Sequence, residues 1–261
     1  MAGRMPPLRR LVAALAAGAA IAVLIALLNG PWLRVDELSW DGLHYTDRDD
    51  LARVLGEERG RSILAVDSAA VASALERLPA VDDATVHASL PGHLRADVVE
   101  RTPVFVWRTS QARLIGAADG TLFAAFGPDA SLPPPLATLP FIDDRRELSR
   151  LITVGDVIPA GYVDVANRLT AIDGAAIGSS ATGMNVRIDD TYGFQLVSGE
   201  VGWRVAFGFY AADPDVPASD VGARIDDQVA AVRTVFAAES ETGISWVDAR
   251  NPGKVYFRAK G

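Results

Sequence analysis

The sequence predicts an α+β protein with a single N-terminal transmembrane helix, a small α/β domain and a mixed β domain that has an antiparallel-rich sheet and flanking helices. Three observations support this fold class. An uncharged apolar run occupies residues 11–28, and two helical patterns with alternating strands follow within residues 33–103. Residues 104–261 contain many short strand patterns and few helical ones, which is typical of a sheet covered by helices.

The apolar run predicts a membrane anchor. As a helix rising about 1.5 Å per residue it would extend roughly 27 Å, close to the hydrocarbon thickness of a bilayer. Three arginines precede it: Arg4, Arg9 and Arg10. Because the positive end of a membrane span stays in the cytoplasm, we expect residues 1–10 to be a cytoplasmic tail. The chain after the anchor is expected to be extracytoplasmic. The alternative, a cleaved signal peptide, is disfavoured because its apolar region is usually about 7–15 residues long.

After the anchor, the pattern predicts a strand, two helices and two strands. Thr46 is the expected N-cap of the first helix and Gly56 its stop, and Asp67 is the expected N-cap of the second. Apolar and polar residues then alternate at 84–90 and 94–98. This order predicts a three-stranded sheet with both helices on one face.

Strand patterns dominate the second half. Strands are expected at 104–108, 112–117, 121–126, 184–188, 194–196, 201–207, 244–248 and 254–258. We expect loops at 128–140 and 213–220. Helices are predicted near 164–172 and 220–238, where apolar residues recur at helical spacing.

Composition and motifs argue against catalysis. The net charge is −8 and there is no cysteine, which disfavours nucleic-acid binding and excludes disulfides and thiolate metal sites. Familiar nucleophile, phosphate-loop and zinc-helix motifs are missing, and His44, His87 and His93 are expected to be solvated. Paired aspartates such as Asp143-Asp144 are expected in turns or at solvated helix starts. We therefore expect no catalytic residue, no cofactor and no metal.

Short motifs along the chain resemble the FtsQ/DivIB family of bacterial cell-division proteins. Two elements are the most specific when they occur in this order behind an anchor: Glu100, Arg101 and Pro103, then Asp119, Gly120 and Phe123. Val247-Asp248-Ala249-Arg250-Asn251-Pro252 is similar to the element before the family's last strand. The resemblance implies a POTRA-like domain at 33–103 and the family's β domain at 104–261.

The resemblance also implies a non-enzymatic scaffold, single-pass in the cell membrane at the division septum. Such a protein would bind FtsB- and FtsL-like partners and, through them, help to recruit or regulate the septal cell-wall (peptidoglycan) synthase. The expected partner surface comprises Arg250, Lys254, Val255, Tyr256, Phe257 and Arg258. If this last strand lies at a sheet edge, its unpaired backbone groups can take up a partner strand; Tyr256 would then be an aromatic anchor or simply cover the sheet.

Two other classes stay open. A POTRA-bearing component of envelope transport or assembly would normally carry several such repeats or a long β-barrel tail. An extracytoplasmic hydrolase is disfavoured because the sequence lacks a nucleophile and base at familiar spacing.

Overall fold

The computed structural model of the chain describes residues 7–28, 30–210, 220–251 and 253–261. It forms two compact units, Met1–Glu100 and Arg101–Gly261, and each has its own hydrophobic core. This boundary falls three residues before the predicted one at residue 103.

The first helix, α1, spans Pro7–Leu28 and contains the predicted anchor. Apolar side chains along it are more than half exposed, including Leu11 at 60%, Leu15 at 67% and Ile21 at 58%. Among the described residues, no helix has both the length and the apolar character needed to cross a membrane. The transmembrane helix therefore stays a prediction.

The rest of the first unit is the predicted three-stranded α+β fold. Its elements are β1 Glu37–Asp41, α2 Arg48–Gly56, α3 Ser68–Leu75, β2 Val81–Ser89 and β3 His93–Glu100. The strand order is β1-β3-β2, with β1 parallel and β2 antiparallel to β3. Leu55 and Leu75 from the helices share one core with Leu94 and Val86 from the strands. Short 3₁₀ turns lie at Pro31–Leu33 and Ile63–Ala65.

The helix ends differ from the prediction at α2. Asp47, not Thr46, is its N-cap, and the Asp47 carboxylate accepts the N–H of Asp49 at 2.8 Å. Thr46 instead donates its backbone N–H to the carboxylate of Glu100. Gly56 is the last residue of α2 rather than its stop. For α3 the prediction is confirmed, because Asp67 caps the N–H groups of Ala69 and Ala70.

The second unit contains a nine-stranded sheet in the order β12-β11-β10-β9-β8-β7-β4-β5-β6. Its strands are β4 Phe105–Arg108, β5 Arg113–Gly116, β6 Leu122–Phe126, β7 Phe141–Asp144, β8 Met184–Asp189, β9 Gly193–Ser198, β10 Arg204–Gly208, β11 Ile244–Asn251 and β12 Lys254–Ala259. Its helices are α4 Pro134–Ala137, α5 Ala160–Thr170 and α6 Val221–Ala238. Among the described residues of this unit, 3₁₀ turns lie at Glu147–Leu151, Ala175–Ile177 and Glu241–Gly243.

Most predicted strands are present, but the sheet is more mixed than expected. Strand β7 was missed, and it joins β4 and β8 through parallel pairs; β10 and β11 are also parallel. Strand β10 begins at Arg204, because Val201 lies in the preceding turn. The predicted loop at 128–140 contains α4. The predicted loop at 213–220 lies outside the described residues except for Asp220.

Helices α5 and α6 cover one face of this sheet. Leu169 and Val232 pack in the same core as Trp107, Phe194 and Val205. Because side chains alternate along a strand, the residues next in sequence to these core positions point to the opposite face. That opposite face carries arginines and aromatic residues.

Candidate partner-binding edge

Strand β12 lies at one edge of the nine-stranded sheet. It pairs antiparallel with β11, with Val247 opposite Phe257 and Asp248 opposite Tyr256. No other strand in the described part of the chain pairs with its outer side. Backbone N–H and C=O groups on that side can therefore bond to an added strand.

The side chains of β12 are unusually apolar for an exposed edge. Tyr256 is 57% and Phe257 46% exposed, whereas Val255 packs partly against the core. Lys254 and Arg258 lie on the same strand, and such charges on an edge discourage uncontrolled pairing. The edge thus combines exposed aromatic surface with protection against aggregation.

An aromatic–arginine cluster lies beside this edge on the sheet face opposite the helices. It consists of Tyr192, Arg204, Trp246, Asp248 and Arg250. The rings of Tyr192 and Trp246 are 4.4 Å apart between centroids, and Arg250 and Arg204 lie over them at 5.2 and 5.5 Å. Aromatic residues and arginine are the types enriched where protein interfaces are strongest.

Arg250 and Asp248 are charged under ordinary conditions. The side-chain hydrogen bonds from Arg250 lower the pKa of Asp248, and the same bonds raise the pKa of Arg250. This pairing fixes the Arg250 guanidinium over Tyr192. Of the cluster, only Arg250 was predicted as part of the partner surface, and Asp248 was named with it in the motif at 247–252. Trp246 lies on the same strand, β11, whereas Arg204 lies on β10 and Tyr192 in the turn between β8 and β9.

Gln228 on α6 supports the edge from the core side. It is 5% exposed and donates from Nε2 to the carbonyls of Phe207 at 2.9 Å and Ala249 at 2.8 Å. Its Oε1 accepts the hydroxyl of Tyr210. Because these carbonyls belong to β10 and β11, Gln228 fixes the strand on which β12 is built. No sequence motif pointed to this residue; a polar residue inside an apolar helical stripe was the available signal.

Glu100, the first residue of the predicted motif, holds the loop at residues 44–46. Its carboxylate accepts the N–H groups of His44 at 2.7 Å, Tyr45 at 2.9 Å and Thr46 at 2.6 Å. Burial raises the pKa of Glu100, but the hydrogen bonds from this loop outweigh burial and leave the pKa below its usual value.

The remaining motif residues also support the fold. Arg101 donates to Asp119 at 2.7 Å, and Asp119 accepts the N–H of Thr121 in the turn between β5 and β6. Phe123 is 2% exposed, and Pro103 is partly buried. Gly120 has φ +88°, and a Cβ there would lie 2.2 Å from the carbonyl oxygen of Ile158. This turn leads into β6, the edge of the sheet opposite β12.

One pair of adjacent aspartates is buried, contrary to the prediction. Asp143 and Asp144 are 9% and 2% exposed on β7, not solvated in a turn as predicted. Arginines pair with both of them, which is why burial is tolerated.

Within the described residues, no group of three histidine, aspartate or glutamate side chains is arranged to bind a metal ion.

Comparisons with known proteins find relatives of part of the chain. Residues 33–101 match the family model of the POTRA domain, FtsQ-type. Three curated proteins named cell division protein FtsQ are similar: 25% identical over 57% of the chain in Mycobacteroides abscessus, 32% over 46% in Streptomyces collinus and 31% over 36% in Corynebacterium glutamicum. The matches cover 47%, 49% and 46% of those proteins, so the chain spans about half the length of the relatives it matches.

Proposed function

We propose that the chain is a member of the FtsQ/DivIB family of cell-division proteins, which the POTRA match and the three relatives support, and that it is a non-enzymatic scaffold of the division complex. Its β12 edge takes up a strand from an FtsB-like partner. FtsL-like proteins and the septal cell-wall synthase join through that partner.

The observation that carries this proposal is the exposed edge of β12. Strand addition gives affinity through backbone hydrogen bonds, and specificity through side chains on alternate positions. Tyr256 and Phe257 expose aromatic surface on the two faces of this strand. The aromatic–arginine cluster extends the surface on the Tyr256 side, since Asp248 and Trp246 lie opposite Tyr256 and Arg258 in the ladder.

Co-purification tests the partner surface. The full chain is purified in mild detergent together with the FtsB-like protein of the same organism, and Tyr256→Ala and Phe257→Ala are compared with wild type. Phe126→Ala on β6 is the matched control, because it changes an aromatic residue on the opposite edge. We expect loss of the partner with either β12 variant and retention with the control; full retention by both β12 variants would exclude this edge.

We also propose that residues 11–28 anchor the protein in the cell membrane with the β domain outside. The uncharged run and the exposed apolar side chains of α1 support this. Confinement to the membrane plane raises the effective concentration for other anchored partners. Extraction of isolated membranes with alkaline carbonate tests it: an anchored chain stays in the membrane pellet, and release into the supernatant would contradict the proposal.

A further inference from the structure

A cavity of about 520 Å³ lies where β4 and β7 end. Its lining includes four arginines and three hydroxyl residues: Arg108, Arg145, Arg146, Arg150, Thr109, Ser110 and Ser149. Strands β4, β7 and β8 run parallel here, so their carboxyl ends meet at one side of the sheet. Ligand sites in sheets of parallel strands commonly form at such ends.

The carboxylate of Asp143 lies close to three arginines at this position. The ladder places Arg108 and Arg187 on either side of Asp143. Asp143 accepts Nε of Arg145 at 2.7 Å and Nε of Arg187 at 3.3 Å, and Nη1 of Arg108 is 3.8 Å away. Since Arg145 bonds through Nε, its two Nη groups are left without partners among the described residues.

The second carboxylate is fully occupied by other groups. Asp144 accepts two hydrogen bonds from the Arg146 guanidinium, at 2.9 and 2.6 Å, and a third from Trp107 Nε1 at 3.0 Å. Glu147 pairs with Arg150 at 3.4 Å, and Asp190 accepts the N–H of Glu147 at 2.7 Å. The cavity lining therefore has four arginines and three carboxylates, which leaves excess positive charge there on a chain of net charge −8.

The available donors suit a tetrahedral oxyanion. Arg108, Arg145 and Arg150 come from three separate segments, and their side chains are 35%, 54% and 59% exposed. Guanidinium groups that approach from different directions can each donate to a different oxygen of a phosphate.

Apolar surface adjoins the cavity. In the 3₁₀ turn Glu147–Leu151, residues three apart lie above one another. Leu148 and Leu151, 70% and 66% exposed, therefore form one row, and Glu147 and Arg150 form the next. A ligand that fills both surfaces carries phosphate at one end and hydrocarbon at the other.

We propose that this cavity binds a phosphate ester, with the exposed leucines favouring the headgroup of an anionic lipid over free phosphate. The site is separate from β12 and does not depend on the proposed partner. Arg108 and Arg145 donate to the phosphate oxygens, Asp143 holds these two guanidinium groups in position, and Leu148 and Leu151 contact the acyl chains.

Calorimetric titration of the full chain in non-ionic detergent tests the site. The probes are inorganic phosphate, glycerol phosphate, dihexanoyl phosphatidic acid and dihexanoylglycerol, with acetate as a planar anion. The variants are Arg145→Gln, the double variant Arg108→Gln/Arg145→Gln and Leu148→Ser/Leu151→Ser. Arg168→Gln is the matched control, because Arg168 is 50% exposed and also pairs with an aspartate through Nε, at 2.9 Å.

We expect the phosphate-bearing probes to bind more tightly than acetate, and the double variant to weaken them by about tenfold or more, the effect of losing a charge-assisted hydrogen bond. Phosphatidic acid should bind more tightly than glycerol phosphate, and the leucine variant should remove that difference. The proposed site would be contradicted if the phosphate-bearing probes bound with equal affinity to the control, to Arg145→Gln and to the double variant. Equal affinity for phosphatidic acid and glycerol phosphate, or binding of dihexanoylglycerol as tight as that of phosphatidic acid, would overturn the lipid assignment. Arg145→Gln decides the question even if the double variant misfolds, because Arg145 is more than half exposed.

Discussion

Arg250 and Asp248 form a two-point ion pair on β11, with Nε–Oδ1 at 2.9 Å and Nη2–Oδ2 at 2.7 Å. The pair holds the Arg250 guanidinium over the ring of Tyr192, which packs in turn on Trp246. Asp248 is also the residue opposite Tyr256 in the ladder. The ion pair thus links the aromatic–arginine cluster to the exposed edge.

Replacement of Arg250 tests this link. Arg250→Ala leaves a carboxylate that is 15% exposed without its partner, so we expect a loss of about 1–2 kcal/mol in the free energy of unfolding. Binding of the FtsB-like partner should weaken about tenfold, whereas Arg168→Ala should change neither quantity appreciably. Urea denaturation and partner titration measure the two effects. Unchanged partner affinity for a folded Arg250→Ala protein would exclude the cluster from the interface.

Glu100 makes the first unit sensitive to acid. The hydrogen bonds from His44, Tyr45 and Thr46 leave its pKa below the unfolded value of about 4.3. The stabilisation is therefore present above that value and is lost as the pH falls through the folded pKa. We expect Glu100→Gln to cost about 2 kcal/mol at neutral pH and less below about pH 4. Hydrogen exchange of β3 amides across pH measures this; a difference that does not shrink in acid would contradict the assignment.

A methyl group should be poorly tolerated at Gly120. Gly120→Ala combines positive φ with a Cβ 2.2 Å from a backbone oxygen, so we expect a loss of about 2–4 kcal/mol. Gly199→Ala is the control, because a Cβ at that position would have nothing within 4 Å of it. Thermal unfolding compares the two, and equal melting temperatures would show that the β5–β6 turn can relax.

Gln228 should matter for stability and for the edge together. Gln228→Leu keeps the volume but leaves the carbonyls of Phe207 and Ala249 without their donor, at an expected cost of about 2–3 kcal/mol. Exchange of β11 and β12 amides should accelerate more than that of β5 amides. Uniform acceleration across the sheet would show that Gln228 stabilises the unit without fixing this edge.

Period-two alternation, short apolar runs and turn signals together predicted most strands of both units. Alternation predicted β2 and β3, because each has a buried and an exposed face, whereas β4–β6 were predicted from short apolar runs and the last two strands from the turn between them. The alternation fails at β7, where Asp143 and Asp144 occupy buried positions and pair with arginines, Arg145 and Arg146 two residues on and Arg187 on β8. Thr46 and Asp47 are both good caps in isolation, and a contact with Glu100, 54 residues away from Thr46, decides between them.

The candidate edge was predictable and its surroundings were not. Residues 254–258 could be chosen from the last strand and the family resemblance, whereas the edge position required the sheet order. Tyr192, Arg204 and Gln228 lie on three other elements, and they reach β11 only through the tertiary fold. The arginine cavity likewise depends on parallel strands that no local pattern revealed.

Site-specific cross-linking tests the central claim most directly. The chain has no cysteine, so a single cysteine at each position of β12, labelled with a photoactivatable maleimide, reports on one place. With the FtsB-like partner bound, we expect cross-links along Lys254–Ala259 in an alternating pattern and none along Leu122–Phe126 of β6. Equal yields at both edges, or none at β12 while the partner co-purifies, would contradict strand addition at this edge.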